Sequence, residues 1–107
     1  MQQVNTEINE IVDAILQAVP AREIYLFGSY ATDTQREDSD LDIYVVVPDD
    51  LQPIEATWKI TGSIPRRIRR ARPIDMLVGT ESKFNKYKHA MSFIENEVAN
   101  TGVKLYG

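Results

Sequence analysis

Two carboxylates lie two residues apart in the stretch Ser39-Asp40-Leu41-Asp42, which opens an apolar run ending at Val47. On a strand, residues i and i+2 point to the same face, about 6.5–7 Å apart along the chain. Carboxylates placed in this way can share hard cations, and Mg²⁺ typically takes one or two of them together with water and phosphate oxygens. Asp40 and Asp42 are therefore candidate magnesium ligands. Two solvated carboxylates at the start of a strand are the structural alternative.

A glycine turn follows the preceding apolar run, Ile24–Phe27. Its residues are Gly28 and Ser29, and a turn without a side chain lets backbone N–H groups approach a phosphate. Ser29 has no histidine or other base near it in the sequence, so we interpret it as a phosphate ligand and not as a nucleophile. Taken alone, these two residues are equally typical of an ordinary turn at the end of a strand.

A third acidic residue, Asp75, interrupts the apolar run Ile74–Val78. A buried charge without a partner is costly. An acidic residue in such a run is therefore a stronger candidate for a functional role than an acidic residue on a polar segment.

Together these motifs resemble the signature of the minimal nucleotidyltransferases. These belong to the DNA polymerase beta-like nucleotidyltransferase superfamily, which also contains the kanamycin-type resistance enzymes. The family pattern, G-S-x-A-x-G-x(5)-S-D-[aliphatic]-D-[aliphatic], is matched at Gly28, Ser29, Ala31, Ser39, Asp40, Leu41, Asp42 and Ile43. The sequence departs from it at Asp33, where the family usually has glycine. Aspartate is among the better-tolerated residues at positive φ, although its charge is unfavourable beside a phosphate site.

The resemblance implies a reaction and a role for each motif. An acceptor hydroxyl attacks the α-phosphate of a nucleoside triphosphate, most simply ATP, and pyrophosphate leaves. Two Mg²⁺ ions are expected on the catalytic carboxylates Asp40, Asp42 and Asp75. Asp75 is the candidate for binding the attacking-side ion and helping to deprotonate the hydroxyl. Gly28 and Ser29, together with Ser39, are the expected nucleotide-binding residues.

Composition sets the bounds of the molecule. A chain of 107 residues without cysteine predicts one domain over residues 1–107, with no disulfide or thiolate metal site. The net charge of −4 argues against nonspecific nucleic-acid binding. The longest apolar run, Ile43–Val47, is too short to cross a membrane, and the N-terminus has no signal-peptide pattern. We expect a cytoplasmic protein.

The predicted fold class is α/β (α+β): a small mixed β-sheet flanked by helices, as in the polymerase beta-like fold. Apolar residues at helical spacing, ended by Pro20, predict a first helix over Thr6–Val19. The pattern predicts strands at Glu23–Phe27, Leu41–Val47 and Pro73–Val78. Between the second and third strands it predicts a helix to about Thr61, a break and a further helical turn. After the third strand it predicts a last helix over Glu81–Ala99, capped by Thr80, and an extended tail from Gly102. Trp58 is expected in the core.

Five of the twelve basic residues fall within seven positions, at Arg66, Arg67, Arg69, Arg70 and Arg72. Such a run is most often a solvated helix face. The alternative is a docking site for an acidic partner surface or a contact with the triphosphate, because guanidinium groups bind carboxylates and phosphates in pairs. His89 has no ligand neighbours in the sequence and is expected on the surface.

The resemblance also implies a partner. Stand-alone minimal members of this family act as antitoxins beside a HEPN-domain RNase toxin, form a complex with it, and transfer AMP to one of its tyrosines. This is the leading expectation for function. Two alternatives stay open: transfer of a nucleotide to a small molecule such as an aminoglycoside, and a non-catalytic antitoxin that neutralises its partner by contact alone.

Overall fold

The structure is a computed structural model that describes residues 2–36 and 39–107. Glu37 and Asp38, inside the polar loop predicted between the two motifs, lie outside the described residues. The elements in chain order are α1 (Gln2–Ala18), β1 (Glu23–Phe27), a 3₁₀ turn (Gly28–Tyr30), β2 (Leu41–Val47), α2 (Pro53–Ser63), α3 (Arg66–Ala71), β3 (Ile74–Thr80), α4 (Glu81–Tyr87), α5 (Ile94–Thr101) and β4 (Val103–Tyr106).

The four strands form one mixed sheet in the order β3-β2-β1-β4. β1 pairs antiparallel with β2 and with β4, whereas β2 and β3 are parallel. The parallel pair requires a crossover connection, and α2 and α3 supply it. The predicted mixed sheet flanked by helices is confirmed, and the extended tail from Gly102 becomes the edge strand β4.

Side-chain alternation along β2 divides the molecule into two layers. The odd-numbered residues of β2, such as Ile43 and Val45, belong to one large core with apolar residues of α1, α2 and α3. Tyr44 and Val46 point to the opposite face, where they pack with Phe84 of α4 and Val98 of α5. Because successive strand residues point to opposite faces, the even-numbered Asp42 shares the α4–α5 face.

The prediction that Trp58 lies in the core is wrong. Its residue surface is 71% exposed and that of Ile54 is 64% exposed. Helix α2 instead packs against the sheet through Ala56 and Ile60, both buried. Trp58 lies two residues from each of them, so it falls on the opposite side of a helix with 3.6 residues per turn.

The prediction of one long helix over Glu81–Ala99 is also wrong. The Thr80 cap is confirmed, since its hydroxyl accepts a hydrogen bond from the Lys83 N–H at 3.3 Å. The helix ends after Tyr87, however, and the ring of Tyr87 stacks on that of Phe93 at a centroid distance of 4.2 Å. Asn96 Nδ2 donates to the Lys88 carbonyl at 2.8 Å and closes the turn. The apolar spacing suited one straight helix, but the turn lets α4 and α5 both reach the sheet.

Strand β3 continues to Thr80, two residues beyond the predicted Val78. Gly79 makes this possible on the α4–α5 face, because a Cβ at this position would lie 2.1 Å from the Tyr44 hydroxyl oxygen. Within the described residues, no helix is long and apolar enough to cross a membrane.

Candidate active site

Two of the three predicted carboxylates are direct neighbours in the sheet. Asp42 of β2 and Asp75 of β3 are register partners in the parallel pair. Strands lie about 4.7–4.9 Å apart, and paired residues project to the same face. Asp40 precedes β2 by one residue, so it lies at the same end of the sheet. The topology thus brings together two residues that are 33 positions apart in the sequence.

Asp75 is exposed, contrary to the expectation that it would be a buried charge in an apolar strand. β3 is an edge strand, and its α4–α5 face is open at this end. Asp40 is likewise exposed, whereas Asp42 is half-buried. The carboxylates therefore form an open site with Asp42 at its floor.

The environment of Asp42 opposes its ionisation. Burial raises the pKa of Asp42, and the charges of Asp75, Asp40 and Glu97 raise it further. Nearby like charges have this effect because they disfavour the charged form. Asp42 is therefore the carboxylate on which the charges of Asp40 and Asp75 act.

Glu97 of α5 is a fourth acidic residue that the sequence analysis did not single out. It is exposed, and its charge acts on Asp42. Helix α5 packs through Val98 on the same face of the sheet as Tyr44, which is also the face of Asp42. The only feature of the sequence that could have drawn attention to Glu97 is the concentration of acidic residues near the end of the chain. That concentration does not indicate that any of them approaches Asp42.

The glycine turn packs directly against Asp42. Gly28 has a φ of 74°, and a Cβ on it would lie 2.2 Å from Asp42 Oδ2. Both features favour glycine, since other residues rarely adopt such a φ and a side chain would collide with the carboxylate. The Gly28 carbonyl accepts hydrogen bonds from the N–H groups of Ala31 at 3.1 Å and Thr32 at 3.2 Å. These bonds close the 3₁₀ turn over Gly28–Tyr30.

Two further residues of the family pattern are Asp33, which departs from it, and Ser39, which matches it. Asp33 adopts a φ of 59°, the left-handed conformation that glycine usually supplies at this place. Its side chain is exposed. The Ser39 hydroxyl accepts a hydrogen bond from the Arg36 N–H at 2.7 Å, and so closes the loop just before Asp40.

The donor set fits Mg²⁺ with carboxylates supplied by two neighbouring strands. Among the described residues, no group of three acidic or histidine side chains converges tightly enough to hold a metal on its own. Mg²⁺ commonly uses one or two carboxylates and completes its shell with water and substrate phosphates. Asp42 and Asp75, which are register partners on adjacent strands, match this requirement.

The arginine run divides into two groups. Its first four arginines lie on α3, as the predicted helical turn, and Arg72 caps the end of that helix. The run is only partly a solvated face. Arg67 is ion-paired with Glu10 of α1, and Arg72 with Glu7 of α1. The remaining three, Arg66, Arg69 and Arg70, are exposed.

A nucleotidyltransferase domain model matches residues 8–102, which is nearly the whole chain. The chain belongs to the nucleotidyltransferase domain family. The prediction of this superfamily from the motifs at Gly28, Asp40 and Asp42 is confirmed.

Relatives of this nucleotidyltransferase domain include a curated protein and several solved structures. Protein adenylyltransferase MntA of Shewanella oneidensis is 43% identical over 65 residues, which are 60% of this chain and 45% of that protein. The match thus spans less than half the length of the curated relative.

Two solved structures share the fold of the domain. A crystal structure of a toxin–antitoxin with AMP-PNP has a TM-score of 0.65 and 28% identity, over 92% of this chain and 72% of that one. A structure of a tri-AMPylated Shewanella oneidensis HEPN toxin in complex with an MNT antitoxin has a TM-score of 0.60 and 26% identity, over 100% of this chain and 73% of that one.

Proposed function

We propose that this nucleotidyltransferase domain transfers AMP from ATP to a tyrosine hydroxyl of a cognate HEPN-domain toxin and thereby acts as its antitoxin. The observation that carries the chemistry is the pairing of Asp42 with Asp75 across two parallel strands, directly against the Gly28 turn. The acceptor is supported by the relatives, one named a protein adenylyltransferase and another an antitoxin bound to an AMPylated HEPN toxin.

The proposed roles follow from the position of each residue. Asp40, Asp42 and Asp75 are the catalytic carboxylates and the ligands of Mg²⁺. Gly28 and Ser29 bind the β- and γ-phosphates through the turn that rests on Asp42. Ser39 contributes to the nucleotide site by closing the loop that leads to Asp40.

The tyrosine oxygen forms a bond to the α-phosphorus, and the bond from that phosphorus to the oxygen bridging to the β-phosphate breaks. Pyrophosphate carries away the electron pair of the broken bond. Asp75, exposed at the open edge, accepts the hydroxyl proton. Bound Mg²⁺ supplies the positive charge that stabilises the attacking and leaving oxygens. That charge would oppose the burial and the neighbouring negative charges that raise the pKa of Asp42.

We further propose that residues 1–107 form a single nucleotidyltransferase domain, supported by one sheet with a core on each face. A hetero-oligomer with the toxin is the proposed assembly, and neither nucleic acid nor a membrane is a direct partner. A cytoplasmic location is proposed because the reaction consumes ATP.

The test is mass spectrometry of the HEPN protein encoded beside this gene after incubation with the purified chain, ATP and Mg²⁺. An AMP adduct on tyrosine is expected, and Asp42→Asn should abolish it. Asp49→Asn is the matched control, because Asp49 bonds Ser82 at the other end of β2 and should leave transfer intact. Absence of the adduct with the wild-type chain would contradict the proposal.

Two outcomes would favour the alternatives. Neutralisation of the toxin that survives Asp40→Ala combined with Asp42→Ala would indicate a non-catalytic antitoxin. Transfer of AMP to an aminoglycoside, without any protein partner, would indicate a small-molecule enzyme.

A further inference from the structure

A buried ion pair connects α1 to the turn that contains Gly28 and Ser29. Arg72 Nε lies 2.6 Å from Glu7 Oε1, and Arg72 Nη1 donates to the Tyr30 hydroxyl at 3.1 Å. The side chains of Glu7 and Arg72 are 7% and 16% exposed. Three elements that are far apart in sequence thus meet through one guanidinium group.

Glu7 occupies a position that an apolar residue would normally fill. It lies on the buried stripe of α1 between Val4 and Ile8, and it is itself only 5% exposed. A buried carboxylate requires a charged partner, because isolated burial of a charge is strongly unfavourable. Arg72 meets this requirement and is in turn held in place by Glu7.

Arg72 stands at the junction between α3 and the strand that carries Asp75. The next residue, Pro73, accepts a hydrogen bond through its carbonyl from the Leu41 N–H at 3.0 Å. This bond fixes the start of β2 against the start of β3, beside Asp42 and Asp75. The position of Arg72 is thus set by the same backbone that pairs the two carboxylates.

Tyr30 is the last residue of the 3₁₀ turn and follows Ser29 directly. Its ring packs against the core, and its hydroxyl is tied to Arg72. The turn is therefore fixed from two sides: Gly28 rests on Asp42, and Tyr30 is bonded to the guanidinium.

We propose that Glu7, Arg72 and Tyr30 are positioning residues that hold the Gly28–Ser29 turn in register with Asp42 and Asp75 for nucleotide binding. Arg72 acts through Tyr30, because its Nε and Nη1 groups are engaged by Glu7 and Tyr30. This inference rests on the proposed nucleotidyl transfer at the same site.

The neighbouring ion pair provides a matched control. Arg67 of α3 pairs with Glu10 of α1, so it joins the same two helices one turn along α1. The Arg67 side chain is 66% exposed. If the effect of Arg72 were only to join α1 and α3, Arg67→Gln would reproduce it in weaker form.

The main variant is Tyr30→Phe, which removes one hydroxyl and keeps the ring in the core. We expect the Kd for Mg·ATP, measured by isothermal titration calorimetry, and the KM for ATP to rise about three- to tenfold, the size of effect that loss of one ordinary hydrogen bond produces. The melting temperature should fall by no more than the few degrees that one lost hydrogen bond costs, and the kcat should stay close to that of the wild-type protein. Arg67→Gln should leave the Kd unchanged.

A second variant, Arg72→Lys, keeps the charge beside Glu7 but loses the planar fork that reaches both partners. Its Kd should rise at least as much as that of Tyr30→Phe. The double variant should bind no more weakly than Arg72→Lys alone, because both changes break the same connection. A Kd for Tyr30→Phe equal to that of the wild-type protein, or additive effects in the double variant, would overturn the inference.

The binding measurement separates this inference from the proposed function. If the wild-type chain binds Mg·ATP but transfers no AMP, the proposed function fails while the Kd values still decide the role of the network. If the wild-type chain does not bind Mg·ATP, both proposals fail.

Discussion

At the scale of single residues, Gly28 and Asp42 pack so closely that the position of the Asp42 carboxylate depends on the absence of a side chain at Gly28. The carboxylate of Asp42 occupies the space into which a side chain at position 28 would project. Asp42 in turn carries a raised pKa, because it is half-buried with other carboxylates around it. Gly28 therefore leaves room for a carboxylate that a cation would stabilise.

Gly28→Ala is expected to reduce both stability and nucleotide binding. The added methyl group would collide with Asp42 Oδ2, and the positive φ is unfavourable for alanine. The combined cost is about 1–3 kcal/mol of unfolding free energy, measured by urea denaturation. Gly62→Ala is the matched control, since no atom lies within 4 Å of the place that a methyl group would take on this helical glycine, and alanine there should stabilise by about 0.5–1 kcal/mol. Equal stability of the two variants would contradict the packing described for Gly28.

The raised pKa of Asp42 predicts a pH dependence of stability in the absence of Mg²⁺. The unfolded chain has an ordinary aspartate pKa of about 3.9. The folded state binds the Asp42 proton more tightly, so the stability contributed by this group is complete below that pH and is lost as the pH rises through the folded-state pKa. We therefore expect Asp42→Asn to be more stable than the wild-type protein at pH 7, with the difference shrinking toward pH 4.

Urea denaturation across this pH range measures the effect, and Asp49 provides a control of opposite sign. Hydrogen bonds from the hydroxyl and the N–H of Ser82 lower the pKa of Asp49. Its contribution is present above about pH 3.9 and is lost as the pH falls through the folded-state value. Asp49→Asn should consequently not stabilise the protein at pH 7. A wild-type protein as stable as Asp42→Asn at pH 7 would be inconsistent with the environment of Asp42.

At the scale of the elements, one buried hydrogen bond fixes α5 over the sheet. The Tyr44 hydroxyl donates to Glu95 Oε2 at 2.7 Å, and both residues are 2% exposed. Lys83 Nζ of α4 lies 3.9 Å from the same oxygen. Burial, followed by the hydrogen bond and the charge of Glu95, raises the pKa of Tyr44. Because Glu97 lies two residues beyond Glu95, this bond also determines how α5 approaches Asp42.

Tyr44→Phe should destabilise the protein by about 1–3 kcal/mol, because it leaves the buried Glu95 carboxylate without its hydroxyl donor. Glu95→Gln is the informative comparison. The amide oxygen can still accept the Tyr44 hydrogen bond, so the loss of unfolding free energy in urea should be smaller. The reverse order of stability would show that the charge of Glu95, and not the bond to Tyr44, stabilises α5.

At the scale of the whole molecule, charge is distributed unevenly. The chain has a net charge of −4, yet α3 exposes Arg66, Arg69 and Arg70 on one short helix. The two other arginines of the run are paired with α1. The three exposed arginines therefore form the basic surface that can meet an acidic partner.

Replacing Arg66, Arg69 and Arg70 by Ser should lower the rate of association with the proposed HEPN partner and leave the fold unchanged. Association of the wild-type chain should slow between 50 and 500 mM salt, which shortens the Debye length about threefold. Stopped-flow or surface-based kinetics measures both effects, with Arg67→Ser as the control because Arg67 is already neutralised by Glu10. Rates that respond neither to the triple substitution nor to salt would assign α3 to a solvated face.

Much of the site was determined by the sequence itself. The strands at Glu23–Phe27 and Leu41–Val47 were predicted with their observed bounds. Asp33, which stands where the family usually has glycine, has a positive φ, a conformation that aspartate tolerates better than most residues. These features are local: alternation, turn chemistry and backbone preference act over a few residues, and a sequence displays them directly.

The tertiary structure alone decided which residues meet. The pairing of Asp42 with Asp75, the approach of Glu97, the exposure of Trp58 and the contact of Arg72 with Tyr30 each join positions far apart in the chain. The segment over Glu81–Ala99, predicted as one helix, forms the two helices α4 and α5, and both of them pack on the same sheet. An apolar or charged pattern states that a side chain needs a partner, but only the packing of the elements determines which partner it reaches.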